Sequence, residues 1–483
     1  MSVLEHLQPA AVLRHFEDLC AIPHGSRNTR AISDHCVAFA KAHGLEYCQD
    51  DLNNVVIIKP ASAGYESAPA IIVQGHLDMV CEKEADCPID MKKEGLKLAA
   101  DGQWIWAEGT TLGGDNGIAV AMALAALEDD SIVHPRLEVV LTVDEEVGME
   151  GAVGLETDLL QGRLMLNLDS EEEGVLTVSC AGGVRATCHI PVDRESAEGA
   201  CFRITIDGLA GGHSGVEIHK GRANANLLMG RLLYALTREM PMRLVELSGG
   251  QADNVIASRS TAVVLVDEAE TARLEEIVRS YGEVFVHEYQ TADPDLRVAV
   301  TEEAVNVLPL TAEATSRVVS MLLLIPNGIQ SMSMDIPGLV QTSLNLGVLK
   351  LTEQEATMTS AVRSSLATEK AMICNRMECL VELLGGHVAY LGDYPAWEFK
   401  KDSKLRQLVA DAYEQQTGKM AVIEAIHAGL ECGVFAGKLP GLDCVSLGPN
   451  LRDIHTPRER MEVASVGRTW ELLKEILCRA KEL

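Results

Sequence analysis

The sequence lacks three features that would each point to a particular class of protein. Its 13 cysteines are scattered singly, with no C-x-x-C pair, which argues against a disulfide framework and a structural zinc finger. No apolar run approaches the roughly 18 residues needed to span a bilayer. Basic residues number 41 against 71 acidic ones, and the resulting formal charge of −30 argues against nucleic acid or an anionic membrane as a partner.

The amino-terminal segment also lacks the pattern of a signal peptide. Residues 1–23 contain Glu5, Glu17 and Asp18, and no basic stretch followed by an apolar core. Single, unpaired cysteines are typical of a reducing compartment. We therefore expect a soluble, cytoplasmic protein.

The order of strand and helix patterns predicts two domains. A chain of 483 residues is too long for one ordinary core. In the first third, apolar strands such as 70–73 alternate with helices such as the Ala-rich 117–127, which predicts an α/β domain with a mainly parallel sheet. Beyond about Gly183, alternating strands and long amphipathic helices indicate an α+β unit. We expect residues 1–186 and 397–483 to form the α/β domain and 187–396 an inserted lid.

The segment Gln74–Val80, Q-G-H-L-D-M-V, follows directly on an apolar strand. Side chains two residues apart on a strand point to the same side, so His76 and Asp78 can emerge together at its carboxyl end. Open α/β sheets place their active sites at this edge. A His-x-Asp pair at a strand end is common, however, and on its own it does not indicate a function.

Further polar residues lie where other apolar strands end or a helix begins. Asp115 lies in the glycine-rich turn G-T-T-L-G-G-D-N-G, where a helix N-cap is the alternative interpretation. The strand 137–143 ends in three carboxylates, at 144–146, and such a run would otherwise be a solvated charged surface. Asp169 closes another strand, and His455 lies in the polar turn D-I-H-T-P-R-E-R-M.

Two imidazoles and three carboxylates form a mixed nitrogen and oxygen donor set. Such a set suits zinc, or Mn²⁺ and Co²⁺ in its place, better than a thiolate site or a calcium site does. Five ligands exceed one tetrahedral ion but fit two ions if one carboxylate bridges them. Glu145 would then remain beside the metals as a general base. The candidate ligands are His76, Asp115, Glu146, Asp169 and His455.

These motifs also resemble a known family. H-L-D, G-G-D-N-G, D-E-E-V-G, N-L-D-S-E-E-E-G and I-H-T-P resemble the co-catalytic zinc peptidases related to carboxypeptidase G and carnosinase. More narrowly, D-S-E-E-E-G, C-A-G-G, G-G-H-S-G, Y-P-A-W and H-A-G-L-E-C-G are similar to the bacterial aminoacyl-histidine dipeptidases. The resemblance covers nearly the whole chain, with the motifs in the same order.

The resemblance implies a role for each residue of the α/β domain. His76 and Asp169 would bind one metal, with Glu146 and His455 on the other. Asp115 would bridge the two metals. The peptide bond between Asp115 and Asn116 would be cis. Asp78 would orient His76, and Glu145 would be the catalytic acid and base.

For the lid, the resemblance implies substrate-binding residues. His213, in the matching H-S-G, would stabilise the oxyanion, and this motif favours it over the nearby His219. Asn254 and Arg363 would bind substrate, with Arg363 holding its terminal carboxylate. His427 would line the pocket, with a structural turn as the alternative.

The implied activity is the metal-dependent hydrolysis of dipeptides, Xaa-His and carnosine-like substrates among them. A hydroxide bridging the two metals would be the nucleophile, and closure of the lid would select short substrates. An N-acyl amino acid deacylase, a tripeptidase and a non-catalytic peptide-binding protein remain alternatives. The resemblance also implies a homodimer formed through the lid.

Overall fold

The computed structural model describes residues 3–483 and divides the chain into two compact units. One, here called the discontinuous unit, contains the chain up to residue 180 together with 397–425 and 430–483. The other, the inserted unit, contains 181–396 and 426–429. The first junction thus lies at 180/181, where the sequence suggested 186/187. The segment 426–429 groups with the inserted unit, which the sequence patterns did not predict.

The first part of the discontinuous unit alternates helices with short strands. Its apolar strands Ile71–His76 and Leu137–Thr142 are buried along their whole length and Val55–Lys59 along all but its last residue, as strands inside a layered α/β domain are expected to be. The elements are α1 (Ala10–Cys20), α2 (Arg30–Ala42), β1 (Glu46–Gln49), β2 (Val55–Lys59), β3 (Ile71–His76), β4 (Leu98–Ala100), β5 (Trp104–Ala107), α3 (Gly114–Glu128), β6 (Leu137–Thr142), α4 (Glu150–Gly154), β7 (Leu164–Asn167) and β8 (Val175–Cys180).

The inserted unit consists of longer strands and helices with one apolar face each. The elements are β9 (Gly182–Pro191), β10 (Ala200–Asp207), α5 (Ala225–Glu239), β11 (Met242–Gly249), β12 (Ser260–Val266), α6 (Thr271–Tyr289), β13 (Arg297–Glu302), α7 (Ala312–Leu324), β14 (Gly328–Met332), β15 (Val340–Leu351), β16 (Glu355–Ser364), α8 (Ala367–Leu383) and β17 (His387–Tyr394). Its strands form a nine-stranded sheet in the order β13-β10-β12-β11-β15-β16-β9-β17, with β14 paired to β15. Buried residues of the sheet and of α5, α7 and α8 make one continuous apolar core.

The chain then completes the discontinuous unit. The elements are α9 (Lys404–Thr417), β18 (Val422–Ile426), α10 (Glu431–Lys438), β19 (Asp443–Ser446), β20 (Leu451–Arg452), β21 (Arg460–Glu462) and α11 (Val463–Arg479). Its main sheet has the order β1-β2-β6-β3-β7-β19-β8-β18, and a small sheet has the order β20-β21-β5-β4. Among the described residues, no helix combines the length and apolar character needed to cross a membrane.

The main sheet is parallel at its centre and antiparallel towards its edges. Strand β3 pairs in parallel with β6 and β7, and β7 pairs in parallel with β19. Strands β1 and β2 run antiparallel to their neighbours, and β8 runs antiparallel to β19. The α/β class is therefore as predicted, with more antiparallel pairing than a mainly parallel sheet would have. The central strands all end at one edge, which is where the polar motifs of the sequence are found.

Candidate metal centre and a polar cluster in the inserted unit

Two candidate ligands lie at the ends of neighbouring parallel strands. His76 is the last residue of β3, and Asp169 follows β7 by two residues. Because β3 and β7 end at the same edge, His76 Nε2 lies 3.3 Å from an Asp169 carboxylate oxygen. The imidazole is buried and cannot move away from this carboxylate without disturbing the strand ends.

The carboxylate of Asp115 lies between two imidazoles. Its Oδ1 is 3.3 Å from His76 Nε2, and its Oδ2 is 3.1 Å from His455 Nε2. The same His455 nitrogen is 3.0 Å from Glu146 Oε1. Ligand atoms of His76, Asp115 and Glu146 lie within 4.8 Å of one another. The five residues thus form two groups of three that share Asp115.

The loops that carry these side chains have unusual backbone conformations. The Asp115–Asn116 peptide bond is cis, as the family resemblance implied. Asp144 and His455 have φ angles of 55° and 57°, in the left-handed region that costs a non-glycine residue about 1–3 kcal/mol. The surrounding structure therefore holds both loops in conformations that a free chain would avoid.

The imidazoles of this cluster are surrounded by negative charge. Hydrogen bonds to Asp115 and Glu146 raise the pKa of His455 to about 10. Burial opposes protonation of His76, but Asp169 and Asp115 raise its pKa well above the usual value. Burial, with Asp115 and Glu146 close by, raises the pKa of Asp169 to about 6. In the absence of a metal, protons on the histidines compensate the crowded carboxylates.

The contacts of this donor set fit divalent cations. Two buried or half-buried groups of three donors each combine one imidazole with carboxylate oxygens, which is the chemistry that zinc and its first-row neighbours accept. The carboxylates around His76 and His455 raise the pKa values of both imidazoles, so the cluster favours a positive charge. A carboxylate with one oxygen towards each imidazole can serve two ions at once.

Asp78 makes contacts beyond the one to His76 that the sequence suggested. Its carboxylate lies 3.6 Å from His76 Nδ1, whereas its own main-chain carbonyl is closer, at 3.0 Å, and accepts from that nitrogen. The carboxylate instead accepts from the Ser26 hydroxyl, at 2.8 Å, and from the backbone amide of Glu145, at 3.0 Å. Asp78 therefore holds the loop after β6 more directly than it orients the ring of His76.

The three carboxylates after β6 have separate environments. Asp144 accepts from the backbone amide of Arg27, Glu146 faces His455, and Glu145 lies in the half-buried turn between them. Burial and nearby carboxylates such as Asp169 raise the pKa of Glu145 well above its usual range, against the opposing attraction of His76. A carboxyl group with a raised pKa suits proton transfer near neutral pH.

A second buried glutamate, missed in the sequence, lies behind the cluster. Glu431, at the start of α10, accepts from Thr142 Oγ1 at 2.7 Å and from the amide of Gln74. The Gln74 side chain in turn accepts from Asn167, at 2.6 Å. This network joins β3, β6 and β7 just before their ligands, and burial raises the pKa of Glu431 to about 7. In the sequence, its motif H-A-G-L-E-C-G drew attention only to His427.

The inserted unit holds its own polar cluster, in which His213 has a defined orientation. Backbone amides of Gly215 and Val216 both donate to His213 Nδ1, at 3.1 Å each. Since Nδ1 is the acceptor, the neutral ring carries its proton on Nε2. Burial and the nearby Arg363 lower the pKa of His213. The ring is therefore a neutral donor at physiological pH.

Arg363 lies beside His213 and is held by Tyr394. The phenol of Tyr394 accepts from Arg363 Nη1 at 2.9 Å. Arg363 Nε is buried and has no hydrogen-bond partner among the residues described. A Cβ atom at Gly215 would lie 3.2 Å from that Nε, and one at Gly183 would lie 2.4 Å from the Tyr394 oxygen. The glycines of two recognised motifs thus make room for this pair.

His427 is the most deeply buried histidine of this cluster. Its Nε2 lies 2.7 Å from the Ser343 hydroxyl, and its Nδ1 has no partner among the described residues. Burial, followed by the positive charge of Arg363, lowers the pKa of His427 to about 3. The arrangement leaves one ring nitrogen available and the ring neutral.

The structure gives less support to the remaining substrate-binding candidate. The Asn254 side chain is exposed, and only its backbone contacts the cluster, by accepting from the amide of Ser214 at 2.8 Å. Val255 forms a β-bridge with His213, so the segment 253–255 supports the histidine loop. His219 is exposed.

Comparison with known proteins places the chain in a family. The chain belongs to peptidase family M20/M25/M40, whose model matches residues 72–479. It is 37% identical to the cytosol non-specific dipeptidase of Escherichia coli over 479 residues, which cover 99% of each chain.

Solved structures agree with this assignment. The aminoacylhistidine dipeptidase from Vibrio alginolyticus superposes with a TM-score of 0.93 at 35% identity, over 98% of this chain and 97% of that one. A tripeptidase from Staphylococcus aureus shares the fold, with a TM-score of 0.56 at 16% identity over 99% of this chain and 100% of the other. The protein is therefore a peptidase with the two-domain α/β architecture of its family.

Proposed function

We propose that this protein is a dipeptidase that uses two divalent cations, with Xaa-His dipeptides among its substrates. The observation that carries the proposal is the position of Asp115, whose two carboxylate oxygens face His76 and His455. The full-length similarity to two dipeptidases supports the substrate class. One of these relatives is named for non-specific dipeptide hydrolysis and the other for aminoacyl-histidine, so the substrate range needs direct measurement.

The two groups of three side chains would hold the cations. His76 and Asp169 would bind one, and His455 and Glu146 the other, with Asp115 shared. We propose zinc, with manganese or cobalt as substitutes, because imidazole and carboxylate ligands suit these ions. Bound there, the cations would supply Lewis acidity and a water of lowered pKa near neutral pH.

Glu145 would carry the proton during hydrolysis. Its carboxylate would accept a proton from the attacking water and return it to the leaving amine nitrogen of the substrate. A raised pKa makes the Glu145 carboxylate a stronger proton acceptor. Asp78 would hold Glu145 in position, since it accepts from the Glu145 backbone amide.

The cluster of the inserted unit would bind the substrate. His213 would donate from Nε2 to the oxygen that becomes negative as the carbonyl is attacked. Arg363 would bind the terminal carboxylate of the dipeptide, since Nε of its guanidinium has no partner among the described residues. His427 would offer its available Nδ1, and Asn254 an exposed amide. A terminal carboxylate bound in this way would limit the enzyme to short peptides.

Two further properties follow from the relatives and the resemblance. We propose that the protein forms a homodimer, which light scattering of the purified protein would test. We also propose a cytoplasmic location, since the E. coli relative is named a cytosolic enzyme.

Metal analysis combined with a substrate panel tests the function. The protein loaded with zinc or manganese should contain about two ions per chain, in line with the two groups of donors. It should release histidine from carnosine and Gly-His, and it should hydrolyse other dipeptides faster than tripeptides or N-acyl amino acids. Absence of turnover on every dipeptide would refute the proposal. Preferential cleavage of a tripeptide or an N-acyl amino acid would favour the alternative activities of this fold.

A further inference from the structure

Glu459 makes an unusual set of contacts in the discontinuous unit. Its Oε2 accepts from the backbone amides of Leu112 and Gly113, at 2.7 and 3.0 Å. Its Oε1 accepts from those of Gly114 and Asp115, at 2.8 and 3.3 Å. One buried carboxylate thus binds four consecutive amides of the turn that ends in Asp115.

Successive backbone amides that converge in this way form an anion-binding concavity. In this protein the chain itself fills the concavity with the Glu459 side chain, which is 2% exposed. The fit is close, because a Cβ atom at Gly114 would lie 3.2 Å from Glu459 Oε1. The position of the Asp115 turn is therefore set by Glu459.

Glu459 also belongs to the turn that carries His455. Its backbone amide donates to the carbonyl of Thr456, at 3.0 Å, and the Thr456 hydroxyl donates to the carbonyl of Asp453, at 2.7 Å. The His455 side chain is 45% exposed, and its backbone has a positive φ. Packing alone therefore fixes His455 poorly, and the buried Glu459 four residues later anchors its turn.

We infer that Glu459 is a positioning residue that sets the distance between Asp115 and His455, and thereby the affinity for the cation between them. The inference rests on the proposed two-cation function. The group His455, Glu146 and Asp115 depends on Glu459 through two of its members. The group His76, Asp169 and Asp115 depends on it through Asp115 alone. Loss of Glu459 should therefore weaken one cation more than the other.

Glu459→Gln tests this inference with little change in size. Glutamine keeps one acceptor oxygen but turns an amino group towards two backbone N–H groups, which cannot bond to it. We expect the Zn²⁺ held by His455, Glu146 and Asp115 to lose about 10–100-fold in affinity, as is typical when a residue that supports a ligand is removed. The other Zn²⁺ should change only a few-fold. The measurement is titration of the metal-free, full-length protein with Zn²⁺ against a chromophoric chelator.

Glu138 provides a matched control. It is fully buried and also accepts from two backbone amides, those of Gln161 and Gly162, at 3.0 Å each. It lies near the amino end of β6, at the opposite end of the strand from the candidate ligands. Glu138→Gln should lower the thermal unfolding temperature and leave both Zn²⁺ affinities unchanged. This variant separates loss of a buried carboxylate from loss of a ligand position.

The outcomes distinguish the inference from the proposed function. A folded Glu459→Gln variant that binds both ions as the wild type does would overturn the inference, as would an equal weakening of both ions. A wild-type protein that binds no Zn²⁺ would refute the proposed function itself. Should Glu459→Gln not fold, Glu459→Asp keeps the charge on a shorter side chain. It should show the same selective weakening, and unchanged binding there would equally overturn the inference.

Discussion

Histidines in the two units have opposite electrostatic surroundings. In the discontinuous unit, His455 lies between two carboxylates, which raise its pKa to about 10. In the inserted unit, His427 is buried close to Arg363, and its pKa falls to about 3. A histidine of one unit thus lies among carboxylates, which stabilise a positive charge. A histidine of the other unit is kept neutral beside an arginine. The contrast agrees with a division of labour between metal binding and recognition of an anionic substrate.

The largest effect on activity should come from Glu145, which lies beside the candidate metal ligands without being one of them. Glu145→Gln removes the proton acceptor, and we expect kcat for dipeptide hydrolysis to fall by about 10²–10⁴-fold, the usual contribution of general acid–base catalysis. Its metal content should remain that of the wild type. The adjacent Glu146→Gln is the matched comparison, because it should lose affinity for one cation. Full activity of Glu145→Gln at normal metal content would exclude its role in proton transfer.

The second prediction concerns the protons on the two imidazoles of the candidate metal centre. Because nearby carboxylates raise the pKa values of His76 and His455, each of the two cations must displace one imidazole proton on binding. Below the pKa values of these imidazoles, the combined affinity for the two Zn²⁺ ions should rise with pH by up to about 100-fold per pH unit, tenfold for each ion and its proton.

Calorimetry measures this release directly. Titrations of Zn²⁺ in buffers with different ionisation enthalpies give the number of protons released per ion bound. A release of about two protons for a fully loaded chain is expected near neutral pH, from the two imidazoles. No proton release would mean that the imidazoles are already neutral, and the contrast between the units would disappear.

The third prediction concerns Arg363, the cationic side chain of the cluster in the inserted unit. Arg363→Lys keeps the charge but loses the planar pair of donors that suits a carboxylate. We expect KM for dipeptides to rise roughly tenfold to a hundredfold, the equivalent of the roughly 1.5–3 kcal/mol of a charge-assisted hydrogen bond. Tyr394→Phe, which removes the hydroxyl that accepts from Arg363 Nη1, should raise KM by about fivefold.

Arg231 is the matched control for this substitution. It also lies in the inserted unit, and its guanidinium forms a two-point ion pair with Glu288, at 2.6 and 3.0 Å. Arg231→Lys should leave KM unchanged. If Arg363→Lys also left KM unchanged, Arg363 would not bind the substrate carboxylate.

The sequence predicted the candidate metal ligands better than it predicted the residues that support them. His76, Glu146 and Asp169 follow apolar strands, and parallel strands end at one edge, so their proximity could be predicted from strand order alone. Their supporting residues could not. Glu431 contacts Gln74, which is 357 positions away in the sequence. The sequence alone also does not distinguish a buried glutamate from an exposed one. Contacts of this kind depend on the packing of distant segments, which periodicity does not describe.

The contacts of Asp78 illustrate the same limit. Its spacing from His76 correctly predicts that the two lie together, but it does not predict which acceptor the imidazole uses. The backbone carbonyl is 0.6 Å closer to Nδ1 than the carboxylate is, at 3.0 against 3.6 Å. The carboxylate is drawn away by Ser26 and by the amide of Glu145, which come from other parts of the chain.

The smallest predicted effect concerns stability in the inserted unit. His427 has a pKa of about 3 in the folded protein against an ordinary value of 6.5. Between these two pH values the unfolded chain holds a proton that the folded protein does not, so the free energy of unfolding falls as the pH drops below about 6.5. His427→Gln removes this proton uptake. We expect the stability of the variant to depend less on pH, by up to about 1.4 kcal/mol per pH unit.

Urea denaturation between pH 7 and pH 5 measures the difference in slope, and Ser343→Ala supplies its control. Removing the Ser343 hydroxyl takes away the hydrogen bond at His427 Nε2 but leaves the buried imidazole next to Arg363. Since burial and Arg363 lower the pKa, Ser343→Ala should be less stable at every pH and keep the wild-type slope. Equal slopes for His427→Gln and the wild type would show that His427 is not kept neutral by the fold. In the inserted unit, the opposition between the histidines of the two units would then rest on His213 alone.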